Sequence, residues 1–286
     1  MLGKMSWWTT WSWSPEVLLV LLLLASVYTA GWWRLRCQGH RRLASGWRLA
    51  AHAGGVGVLA LALVSPVDTL GDYLFSAHMV QHELLMMVAP PLLLLGNPFP
   101  VALWGMPRGL RWAIGRLMDR RGRFRQWLRH VSAPGMAWLL YVSTLWLWHT
   151  PAAYDAALRY EFVHTLEHIS FFATALLFWW HVIGTPPHVH GKLGYGRRVG
   201  YVLAALAQNE VLAVGISLAR EPLYPYYTTV PRIWGLSVLE DQMLGGTIMW
   251  IPGGMMYALV AIILIARWWD REEKTAKLTG QAIPRR

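Results

Sequence analysis

The chain alternates long apolar runs with short polar segments, and the runs are long enough to set the architecture. Seven of them, over residues 15–33, 49–65, 73–95, 134–149, 162–183, 199–218 and 242–266, are nearly free of charged side chains. About 20 apolar residues cross a bilayer core as a helix. The pattern therefore predicts an all-α integral membrane protein, a seven-transmembrane-helix bundle forming one domain. Between the third and fourth runs, residues 107–131 intersperse arginines with Leu110, Ile114, Leu117, Phe124, Trp127, Leu128 and Val131 at roughly helical spacing. That is the pattern of an amphipathic helix lying on a membrane surface. Residues 267–286 form a basic tail. The basic residues beside the first run follow it rather than precede it, which predicts an uncleaved span and not a signal peptide.

Composition supports a membrane protein: 55% of the 286 residues are hydrophobic, 14% are charged, and the 19 Trp suit the bilayer interfaces. A net charge of +11 raises the question of nucleic acid, but the distribution of charge answers it. The segments after the first, third and fifth spans and the tail hold five, eight, three and six of the 26 Lys and Arg. The opposite side holds only Lys4, Arg159, Arg220 and Arg232. Basic residues accumulate on cytoplasmic loops, so the N-terminus is expected outside and the C-terminus in the cytoplasm. Anionic lipid, not nucleic acid, is the partner this charge implies. Cys37 is the single cysteine, which excludes an internal disulfide and any paired-cysteine metal motif. A soft metal would have to be held by His and Met.

Two of the spans carry paired histidines. His78 and His82 in the third, and His164 and His168 in the fifth, are each four residues apart, which places both rings of a pair on one helix face about 6 Å apart. Ionisable groups inside a span are costly and face the bundle interior. Both helices enter from the outer side, so the rise per residue puts all four rings in the outer half of the membrane, with His149 within reach. The arrangement predicts a metal ion shared between the two helices. Imidazole suits zinc, copper, iron and nickel, and thioethers select Cu(I). Met79 and Met243 fall on the same side and, with Asp241, are candidate additional ligands, so copper, as Cu(I), is the expected ion. A zinc-dependent intramembrane hydrolase and a b-type haem protein, with one histidine of each pair as axial ligand, are the alternatives. Glu83 and Glu167 each adjoin a histidine and so are expected to point about 100° away from its face. Asp72 and Asp241 are placed to cap helix ends. Gln208, Asn209 and Glu210 fall in mid-span, as a structural lock or part of a proton or ion path. His40, His52, His130, His181, His188 and His190 show no matched pairing and are expected at the interface or in solvent.

Three blocks carry a resemblance. They are Ala77–His82 with Val88–Pro91 and Gly96–Pro98, then His164–His168 leading to Phe178–Trp180, and Asp241–Gly246 leading to Met249–Gly254. In that order they resemble the bacterial CtaG-like cytochrome c oxidase assembly factors, over nearly the whole chain. The resemblance implies a multi-pass bacterial plasma-membrane protein that is not an enzyme. It further implies a part in building a haem-copper oxidase by helping supply copper to the catalytic subunit, with an extracytoplasmic copper carrier as a further partner. A reporter active only outside the cytoplasm is expected to work when fused at Asp155 and to fail after Arg121 or in the basic tail. The reverse pattern would overturn the outer placement of the histidines.

Overall fold

The computed structural model describes residues 11–119 and 121–279, which form helices and connecting turns with no strand among them. Lys4, Arg120 and residues 280–286 of the basic tail lie outside the described residues. Helix α1 (Pro15–Cys37) starts with proline, whose missing N–H costs nothing in a first turn. It is followed by α2 (Gly46–Leu63) and the single-turn α3 (Pro66–Gly71). The third apolar run is α4 (Phe75–Glu83), a π turn over Leu84–Val88, and α5 (Ala89–Leu95). After a left-handed Asn97 come α6 (Pro98–Gly105) and two surface helices, α7 (Arg108–Leu117) and α8 (Arg123–Val131). The bundle is completed by α9 (Pro134–Trp148), α10 (Pro151–Arg159), α11 (Glu161–Ile183), α12 (Tyr195–Ser217) and the short α13 (Tyr226–Thr229). Last come α14 (Val238–Ile248), a π turn over Met249–Gly253, and α15 (Gly254–Thr279), which carries the seventh run into the basic tail as one helix.

Among the described residues, six helical stretches are long and apolar enough to cross a membrane: Pro15–Cys37, Gly46–Leu63, Phe75–Leu95, Glu161–Ile183, Tyr195–Ser217 and Val238–Leu278. The expected fourth span is α9, with 15 residues. At about 1.5 Å per residue it reaches some 22 Å, short of a bilayer core of about 30 Å. Helix α9 packs along α11, and α4, α11, α12 and α14–α15 supply most of the central core. Helices α1 and α6 form a separate contact at Gly31 and Gly105, where a Cβ on either glycine would collide with backbone of the other helix. Small residues allow such backbone approach in membrane bundles.

The Pro90–Pro91 pair does not end the third helix, and the carbonyl deprived by Pro90 is supplied from elsewhere. Proline at position 90 removes the donor that the Met86 carbonyl would meet one turn later. The π turn places the Ala89 N–H on the Leu84 carbonyl, and the buried Trp179 indole N–H donates to the Met86 carbonyl at 2.8 Å. A second π turn surrounds Pro252, and there the Asn209 amide donates to the Met249 carbonyl at 3.1 Å, tying α12 to the turn.

The stretch expected as one surface helix is two, α7 and α8, and between them the Gly122 N–H donates back to the Asp119 carbonyl. Neither helix buries a residue, and Leu110, Trp112, Leu117, Phe124 and Trp127 are all exposed. An apolar stripe beside arginines suits an anionic leaflet. A peptide of residues 107–131 is expected to gain helicity on anionic vesicles and to detach as salt rises. Binding indifferent to salt and lipid charge would leave α7 and α8 as plain solvated segments with no role at an anionic leaflet.

Candidate metal centre

Histidines four apart share a helix face, and α4 and α11 turn those faces toward each other. The ring centres of His78 and His82 are 4.3 Å apart, and those of His164 and His168 4.1 Å. Across the helices, His78 lies 5.3 Å from His164 and 6.1 Å from His168, and His82 lies 5.8 Å from His168. Glu167 enters between them: its two oxygens stand 3.7 Å from His78 Nε2 and 3.7 Å from His82 Nε2. One ligand atom from each of His78, His82, Glu167 and His168 lies within 4.8 Å of the others.

Most of these atoms lack a hydrogen bond. Both ring nitrogens of His78 and of His82, both oxygens of Glu167, and Nε2 of His149, His164 and His168 have no partner among the described residues. A buried polar atom left unsatisfied costs about 1–3 kcal/mol. A set of imidazoles plus a carboxylate, each with a free lone pair, matches a transition-metal ligand shell. His149 is prepared for the same use. Its ring lies 6.0 Å from that of His82, and its Nδ1–H donates to the Leu145 carbonyl at 2.7 Å. That hydrogen bond fixes the tautomer and leaves the Nε2 lone pair free.

The start of α4 is held from another helix. No side chain of its own caps it, and Asp241 of α14 does so instead. The carboxylate accepts from Phe75 N–H at 2.8 Å, Ser76 N–H at 3.1 Å and the Ser76 hydroxyl at 2.6 Å, and pairs with Arg232 at 3.2 Å. A negative charge there also complements the helix dipole. An aromatic layer closes this end of the bundle. Tyr154 and Tyr227 share a 3.0 Å hydrogen bond, Tyr227 donates to the Gly71 carbonyl at 2.8 Å, and Tyr224 donates to the His149 carbonyl at 3.1 Å. Phe75 stacks on Tyr224, and the Tyr154 ring lies 5.2 Å from that of His78.

Of the candidate ligands singled out in the sequence, the structure brings together His78, His82, His164 and His168, keeps Met79 beside them, and sets Asp241 and Met243 apart. Asp241 spends its oxygens on the α4 start. Met243 is 44% exposed on the surface of the bundle. Met79 is fully buried beside the cluster, lining a cavity with His82. Glu167 departs from the expectation that it faces away. It follows His164 by three residues, so it shares that face, and α11 turns the common edge of residues 164, 167 and 168 inward. The same His-x-x-Glu-His spacing serves one group of zinc peptidases. Gln208 and Asn209 lock helices together, accepting from the Trp146 indole at 2.8 Å and donating to the Met249 carbonyl. Two of the histidines expected at the interface or in solvent are buried: His52 stacks on Tyr28 at 3.7 Å, and His181 bonds the Ser132 carbonyl at 2.7 Å.

Apolar helices of spanning length around a buried histidine–carboxylate nest define a multi-pass membrane protein with a candidate metal centre. The chain belongs to the cytochrome c oxidase caa3 assembly factor family, whose pattern it matches over residues 26–271. Uncharacterized proteins of Mycobacterium bovis and Mycobacterium tuberculosis are each 28% identical to it over 280 residues, which is 94% of this chain and 40% of theirs. One from Mycobacterium leprae is 27% identical over 278 residues, 94% of this chain and 41% of its own. The chain thus spans well under half the length of these relatives. No solved structure matches it.

Because three donors and an arginine converge on Asp241, Asp241→Ala is expected to cost about 3 kcal/mol of stability. Thermal unfolding in detergent measures this, and the folded fraction should retain the wild-type metal stoichiometry. Unchanged stability with lost metal would instead make Asp241 a ligand.

Proposed function

We propose that this chain is a non-enzymatic assembly factor that carries copper as cargo in the cluster of His78, His82, His164, His168 and Glu167. From there it helps deliver the ion to the catalytic subunit of a haem-copper oxidase. The observation that carries the reading is the group of buried ring nitrogens with no hydrogen-bond partner among the described residues, gathered around one carboxylate. Membership of an oxidase assembly family supports the destination. Imidazole-rich shells with thioethers nearby favour copper over harder ions, and Met79 adjoins the cluster. On this reading the chain crosses the bacterial plasma membrane seven times, with α9 as a short span, the N-terminus outside and the C-terminus in the cytoplasm. The cluster then faces the outer half of the membrane, where an extracytoplasmic carrier would load it.

A second reading has one observation in its favour. Glu167 stands between histidines at the spacing of a zinc peptidase helix, so a zinc-dependent hydrolase would use it as the base that activates a metal-bound water. Metal analysis of anaerobically purified protein separates the two, and a visible spectrum reports haem b directly.

If the two pairs share one ion, replacing His78 and His82 with Leu, or His164 and His168 with Leu, removes ligands from the same site. Either double variant is expected to lose at least about 100-fold in copper affinity, and combining them should add little more. Cells with either variant should make oxidase subunits but show little oxidase activity, partly rescued by added copper. Full copper content and full oxidase activity in the His78/His82 variant would sink the reading.

A further inference from the structure

Below the histidine cluster the bundle contains a cavity of about 10 Å3, room for one water-sized occupant. Its walls are unusual for an apolar interior. Met79, His82, Glu83, Met86 and Met87 come from the third span, His149 and Tyr141 from α9, Asn209 from α12, and Met249 and Tyr257 from the last span. Positions 79, 82, 83, 86 and 87 fall in one helical stripe, so a single face presents three thioethers, an imidazole and a carboxylate. Met249 approaches from the opposite side.

Methionine is ordinary core filler, and its flexible side chain closes irregular gaps. Here four methionines border open space that they do not close. Both π turns lie at this place, one carrying Met86 and Met87 and the other beginning with Met249, and π turns concentrate at functional sites. His82 and His149 line the cavity, and His149 Nε2 is the lone pair left free by the Nδ1 bond to Leu145. Glu83 packs on Gly253, where a Cβ would stand 2.7 Å from its Oε1. That glycine makes room for a carboxylate deep in the bundle. Neutral thioethers and imidazoles cannot offset a cation's charge in a low-dielectric interior, and one carboxylate balances one monovalent ion.

We propose that this cavity is a second station for a monovalent soft cation, Cu(I), held by thioethers of Met79, Met86, Met87 and Met249 with His82 or His149. The inference rests on the copper reading above and deepens it. The upper cluster offers imidazoles and a carboxylate, a set that several divalent ions accept. The lower cavity offers thioether sulfur, which selects Cu(I). His82 and His149 border both, so an ion can pass by exchanging one ligand at a time, with no change of oxidation state.

The test loads full-length protein in detergent with Cu(I) under anaerobic conditions and reads copper X-ray absorption together with stoichiometry. Two ions per chain are expected, with sulfur in the copper shell. Protein grown on selenomethionine should show a copper–selenium signal, a reading that needs no mutation. Met→Leu conserves volume and usually costs little stability. The Met79→Leu, Met86→Leu, Met87→Leu, Met249→Leu variant should lose the sulfur signal and one ion, with that site weakened about 10–100-fold or more. His164→Leu with His168→Leu should keep the sulfur-bound ion. Copper bound by nitrogen and oxygen alone, with no selenium signal, would overturn the second station while leaving the histidine site standing. No Cu(I) binding at all would overturn both.

Discussion

A proline inside an apolar bundle leaves a carbonyl without its donor, and no water is at hand to replace it. Side chains from other helices supply the partners that such backbone irregularities and helix ends need, and together they set where the chemistry lies. Trp179 of α11 supplies the Met86 carbonyl, Asn209 of α12 supplies the Met249 carbonyl, and Asp241 of α14 takes the free N–H groups at the start of α4. The Trp179 and Asp241 bonds tie α11 and α14 to the third span, which carries His78, His82, Met79, Met86 and Met87, and the Asn209 bond ties α12 to the second π turn. The third span is thus pinned at its start and at its π turn, with the histidines between the two pins.

Between those pins the energetics reverse. Unpartnered buried polar atoms are scattered singly elsewhere among the described residues, but the histidine cluster gathers them in one place. Each such atom costs about 1–3 kcal/mol in the free protein, and the well-packed helices around it offset that cost. A site of this kind gains stability in proportion to what binds it, because a ligand that satisfies the folded state alone shifts the folding equilibrium.

How much of this could be read from the sequence differs by residue. The paired histidines were legible because four-residue spacing fixes a shared face whatever the partner helix does. Glu167 was missed because its relation to adjacent His168 was weighed and its three-residue relation to His164 was not. Asp241 and Met243 were read as ligands from nearness to the cluster's end of the bundle. The rotation of α14, which turns Asp241 onto α4 and Met243 outward, is decided by packing that the sequence does not display. The shortness of α9 was visible as a run of 16 positions, 134–149, but an apolar pattern does not say how much helix the ends will yield to turns. His52 looked like an interfacial residue, since nothing along the chain announces that Tyr28 will stack on it.

The aromatic layer over the cluster has a kinetic meaning. Phe75, Tyr154, Tyr224 and Tyr227 are all buried and are joined by stacking and hydrogen bonds. An occupant leaving by that end must wait until the Tyr154–Tyr227 and Tyr227–Gly71 bonds open together, a step tied to movement of the segment bearing α13. On the proposed function, breaking these two bonds is a step that release by this end adds to the breaking of the ligand bonds. A docking protein that pulls on the α13 segment would speed release without touching the cluster.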